Sequence, residues 1–117
     1  MKKNTKNKQE LLQYWIERLG LQDWDIELHD DCSPRELYDK EAQADNCYNF
    51  VHKAAIIHIT SEKDRAHDIK PLDYEHLLVH ELLHCKFAAL DDSGNALQDK
   101  FVHQYVEDFA KILLEEK

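Results

Sequence analysis

Apolar residues recur along this chain with two different periods, and the change of period marks its elements. In "KQELLQYWIERLGL", Leu11, Leu12, Trp15, Ile16 and Leu19 return at helical spacing, with Gly20 placed to end the helix. Such a helix covers a sheet, and Tyr14 and Trp15 give it a large apolar area. In "WDIELH" the period drops to two: Trp24, Ile26 and Leu28 alternate with Asp25, Glu27 and His29, the mark of a strand with one wet face. "DDCSPREL" breaks that strand, and Ser33 before Pro34 can start a short turn or helix. "NCYNFVHKAAIIHIT" predicts two antiparallel strands, Cys47–Val51 and Ala54–Thr60, joined tightly at His52 and Lys53. Its turn signal is weak, because neither Gly nor Asn-Gly stands there.

Two helices follow. "IKPLDYEHLLVHELLHCKFAAL" has Asp73 as its N-cap. Tyr74, Leu78, Leu82, Cys85 and Ala89 make one apolar side, extended by Leu77 and Ala88, while Val79, Leu83 and Leu90 lie opposite. Only a strip near Glu75 and Lys86 reads as freely solvated, so this helix is buried nearly all round. "DDSGN" ends it, with Gly94 serving the turn. "ALQDKFVHQYVEDFAKILLEEK" is the last helix, with a core stripe of Val102, Val106, Phe109 and Leu113 and a wet face of Gln104, Asp108 and Lys111. The order helix, three strands, helix, helix reads as α+β. No linker or repeat divides the chain, so residues 1–117 read as one domain, with 1–8 as a polar, flexible tail.

Composition narrows the partners. The formal charge of -9 argues against nucleic acid, whose phosphates are bound through Lys and Arg. No run is long and apolar enough for a membrane span or a signal peptide. Cys32, Cys47 and Cys85 are odd in number and far apart, which speaks against a disulfide framework and for a cytoplasmic setting.

Histidine supplies the chemistry. The sequence "HELLH", His80 to His84, is an H-E-x-x-H pattern. Residues four apart share one helix face, so both imidazoles can reach one zinc ion at about 2.0–2.1 Å. Glu81 borders that face, where it can hold and deprotonate a water. A catalytic zinc needs a third protein ligand. Downstream stand Asp91, Asp92, Asp99, His103, Glu107 and Asp108. His103, on the next helix after a short turn, is the chosen ligand. Glu107, one turn on, can accept a hydrogen bond from a ligand imidazole or be the ligand itself. His76 extends the histidine row backwards and reads as a residue lining the cleft or starting the helix. Tyr48, Tyr105, His76 and His58 are candidate donors to a reacting carbonyl. Cys85 points away from His84 and reads as a core thiol. His29, His52, His58 and His67 read mostly as surface residues.

"DYEHLLVHELLHCKF" followed by "FVHQYVEDFAKILL" resembles the H-E-x-x-H zinc metallopeptidases, the zincins, and most of all their very small phage- or prophage-type members. The resemblance covers roughly Trp24 to Leu114. It implies a minimal zincin-like domain with a small antiparallel or mixed three-stranded sheet, zinc at His80 and His84, and Glu81 as general base. It makes "KAAIIHIT" the edge strand beside the cleft, along which a peptide substrate would lie. In the gluzincin-like branch the third ligand is a glutamate on the following helix, often with an aspartate four residues later. Here those positions read His103 and Glu107, a ligand change that keeps a carboxylate behind it. A zinc-stabilised interaction or regulatory domain of a mobile element, without catalysis, is the competing expectation.

Overall fold

The structure is a computed structural model and describes residues 7–38, 40–88 and 96–115, with 96–99 as backbone only. The turn assigned to Gly94, the packing of Ala89 and Leu90, the carboxylates of Asp91, Asp92 and Asp99, and residues 1–6 of the tail lie outside the described residues.

The protein is α+β. Helix α1 (Lys8–Arg18) leads to strand β1 (Asp25–Cys32), a 3-10 turn (Pro34–Glu36), and strands β2 (Ala44–Asn49) and β3 (Ala54–Thr60). A short helix α2 (Glu62–Arg65) follows, then α3 (Tyr74–Lys86) and the long α4 (Ala96–Glu115). The N-terminus of α1 is set by Asn7, whose side chain accepts from the Glu10 amide at 2.8 Å, so Asn7 and Lys8 belong to the helix and not to a tail. Gly20 follows the C-cap in the left-handed region at φ 71°, where a side chain would be strained.

The sheet is mixed, in the order β1-β3-β2. β3 pairs parallel with β1 and antiparallel with β2. Ala54–Thr60 is therefore the central strand and not the edge beside the cleft. Its fully buried Ala55, Ile57 and Ile59 suit a strand that is hydrogen-bonded on both sides. The cleft-side edge strand is β2, which begins three residues earlier than its apolar residues suggest and ends at Asn49. Phe50 to Lys53 then form the turn, closed by Lys53 N donating to Phe50 O at 3.3 Å. Lys53 takes φ 51°, the conformation glycine normally supplies, which explains the missing turn signal.

β1 runs on through the expected break to Cys32, with a register irregularity between His29 and Cys32 and Asp31 at φ 60°. The polar run after β3 forms α2, capped by Ser61. Arg65 of α2 is buried and donates to the carbonyls of Leu72 and Thr60, which clamps the loop leading into α3.

α3 packs on the sheet and also on α1 and α4, so it is buried on nearly every side. Leu78, Val79 and Leu82 are fully buried. Of the strip expected in solvent, Lys86 is exposed but Glu75 is not free: the buried Trp15 indole donates to its carboxylate at 2.7 Å. α1 accordingly packs mainly on α3 and reaches the sheet only through the shared core. On α4 the buried stripe is Val102, Val106 and Ala110. Phe109 was expected in it but is 45% exposed, stacked on Phe87 with ring centroids 5.9 Å apart. The buried stripe packs against α3 and joins the core cluster that also holds Ala55, Ile57 and Ile59 of the sheet.

Candidate metal centre

Asp73 fixes where the histidine row begins. Its side chain accepts from the His76 amide at 2.8 Å, starting α3 so that His76, His80 and His84 follow at one-turn intervals. α4 runs antiparallel beside them. His84 stands level with His103, and His80 with Glu107.

The three expected ligands come together. The rings of His80, His84 and His103 form a near-equilateral triangle, with centroids 4.9, 5.2 and 5.3 Å apart. One nitrogen from each lies within 4.8 Å of the other two, and this is the sole such group of metal-ligating side chains among the described residues. The Nε2 atoms of His80 and His84 face each other at 3.2 Å. Two nitrogens held at about 2.0–2.1 Å on one tetrahedral ion would stand roughly 3.3–3.4 Å apart. The donor set and its spacing therefore fit a divalent ion such as zinc. His103 is exposed while His80 and His84 are half-buried, so the triangle opens towards solvent.

Glu107 lies behind this triangle. Its carboxylate accepts from His80 Nδ1 at 2.8 Å and from His76 Nε2 at 3.1 and 3.2 Å. A carboxylate only accepts, so His80 carries its proton on Nδ1 and leaves the Nε2 lone pair free for a ligand role. Burial pushes the His80 imidazole below its ordinary pKa, partly countered by the bond to Glu107. Burial alone would raise the Glu107 carboxyl. The hydrogen bonds from His80 and His76 outweigh that and hold it below the usual range. The two shifts agree on one state, a neutral imidazole donating to an ionised carboxylate.

Glu81 is buried at 7% exposure and lines a cleft of about 340 Å³ together with His80, His84, His103, Asn46 and Tyr48. Asn46, on β2, donates its amide to the Glu81 carbonyl at 3.0 Å and to Cys85 Sγ at 3.4 Å. This side chain ties the edge strand to the Glu81 turn of α3. Spacing on α3 says nothing of it, because the contact depends on which strand lies above the helix.

The other candidates separate. Tyr48 lines the cleft. Tyr105 is 59% exposed and is not among the lining residues. His76 is not in the lining either and turns to Glu107. His58 lies on the open face of the sheet, half-buried, paired with Asp45 at 3.1 Å and stacked on His29 at 5.3 Å. Cys85 is a core thiol as expected, and burial pushes it up to about 11. Cys32 is buried and Cys47 exposed, both as free thiols.

No protein-family model, curated protein or solved structure matches this chain. Its chemistry is therefore argued from its own residues.

Proposed function

We propose that the chain is a zinc-dependent metallopeptidase that hydrolyses peptide bonds in the cleft between β2 and the His80–His84–His103 triangle. The observation that carries this reading is the 3.2 Å approach of the two Nε2 atoms, with His103 completing the set and Glu107 fixing the tautomer. Zinc held there supplies Lewis acidity, which acidifies water and polarises a carbonyl. Glu81 takes the proton of the attacking water and returns it to the leaving amine. Glu81 is buried and is one of the residues that line the cleft. Tyr48 supplies a donor for the carbonyl oxygen as charge develops on it.

The substrate is an extended peptide. Among the described residues no strand pairs with the outer side of β2, so its backbone groups can add one more strand. The formal charge of -9 favours a protein or peptide partner over nucleic acid; among the described residues no helix is long and apolar enough to cross a membrane. The expected setting is cytoplasmic.

A zinc-stabilised domain without catalysis is the second reading, favoured by one feature: the three ligands bridge α3 and α4 and would staple them together. Glu81→Gln separates the two. The purified wild-type chain is expected to carry one zinc and to cleave a library of unstructured peptides. Glu81→Gln is expected to retain the zinc and lose cleavage by orders of magnitude. Equal cleavage by both proteins would refute the enzymatic reading, and a wild-type chain that takes up no metal would refute both.

A further inference from the structure

The row of histidines on α3 has a member that neither the triangle nor the cleft uses. We infer that His76 is a positioning residue for the metal centre, acting through Glu107 on His80; the inference rests on the metal reading of that site. Three observations carry it. His76 is largely buried, at 14% exposure, yet lies outside the cleft lining, so it is placed for contact with protein and not with substrate. Its Nε2 reaches both oxygens of Glu107, at 3.1 and 3.2 Å, a bifurcated bond that holds the carboxylate plane. Glu107 in turn holds His80 Nδ1 at 2.8 Å.

The chain His76, Glu107, His80 therefore runs from one turn of α3, across to α4, and back to the next turn of α3. A carboxylate on a long side chain has several rotamers, and without a second partner Glu107 would share its time between His80 and solvent. Lys111 stands 3.9 Å from the Glu107 carboxylate and is itself 56% exposed, too loosely held to fix a rotamer. His76 removes that freedom because its own backbone is fixed by the Asp73 cap. The gain appears at the metal: His80 is presented in one tautomer and one orientation before the ion arrives.

The test is zinc affinity, measured by competition with a chromophoric chelator, with cobalt(II) absorption as a readout of ligand geometry. His76→Phe keeps a ring but has no donor. It is expected to weaken zinc binding about tenfold, the low end for partners outside the ligand set, and to alter the cobalt spectrum. His76→Gln places an amide N–H near the position of Nε2 and is expected to bind zinc like wild type. His76→Asn falls short of Glu107 and is expected to behave like Phe, which keeps the test open if the Phe protein folds poorly. In a Glu107→Ala background the His76 substitutions are expected to cost nothing further, because the relay is already cut. Wild-type affinity in both the Phe and Asn proteins, a loss in Gln equal to that in Phe, or a loss that persists without Glu107 would overturn the inference. Such results leave the metal reading standing, whereas a wild-type chain that binds no zinc removes both.

Discussion

At the scale of single residues, the site divides labour between two side chains one turn apart on α4. His103 completes the nitrogen triangle, and Glu107 hydrogen-bonds behind it. Their substitutions should differ in size. Glu107→Gln is expected to weaken zinc binding by roughly 10- to 100-fold, as loss of a partner outside the ligand set does. His103→Ala removes a ligand and is expected to cost more than that range, with the cobalt spectrum moving towards a site completed by solvent. The reverse order in a chelator titration would make Glu107 the ligand and His103 its neighbour. The sequence alone left that choice open, because one helical turn places both side chains within reach of α3. The structure adds the level at which the two antiparallel helices meet, with His84 beside His103 and His80 beside Glu107.

At the scale of elements, legibility followed the range of the interaction. α3 could be read from the sequence because its signals are local: an Asp73 cap, an apolar period and an i,i+4 histidine pair. Its length and N-terminus depend on these, and Asp73→Ala is expected to lower stability by about 0.5–2 kcal/mol. The same change should loosen the first turn that carries His76, so urea unfolding of the metal-free protein is the check, and an unchanged midpoint would show that the cap is not needed. The sheet was less legible. β1 and β3 are parallel neighbours with β2 between them in sequence, an arrangement that no short stretch encodes. The central place of β3 moved the cleft-side edge to β2, and the Trp15–Glu75 bond took Glu75 out of the expected wet strip of α3, leaving Lys86 exposed. Both are contacts between residues far apart in the chain. Asn46 belongs to the same class, since a polar residue in mid-strand reads as surface until the helix beneath it is known. Asn46→Ala is expected to cost about 1–2 kcal/mol, the usual loss for a part-buried hydrogen bond, and to lower peptide cleavage while leaving zinc content intact. Loss of zinc together with the strand contact would mean that β2 supports the ligands themselves and not only the cleft.

At the scale of the whole molecule, the residues of the candidate metal centre also bear on how the fold responds to acid. In the metal-free protein both resolved shifts at the site push the same way. His80 titrates below its ordinary value of 6.5, so as pH falls through that range the unfolded chain binds the proton first and folding is disfavoured. Glu107 titrates below its ordinary 4.5, so its contribution is present above that pH and is lost as pH falls through its lower folded value. Stability should therefore decline in two stages on acidification, one starting near pH 6.5 and the other near pH 4.5. Zinc bound at the proposed site would steepen the first stage, because imidazoles that hold an ion must be neutral and protons compete with it. Glu107→Gln cannot ionise, so it is expected to lack the lower stage. It is expected to keep the upper one, since burial, the largest influence on His80, is unchanged by the substitution. Equilibrium urea unfolding at a series of pH values, with and without chelator, reads each stage separately. A metal-free wild-type protein whose stability stays constant as pH falls from 7 to 5 would mean that His80 is not buried as a neutral imidazole in solution, and an unaltered lower stage in Glu107→Gln would assign that stage to the other carboxylates of this acidic chain.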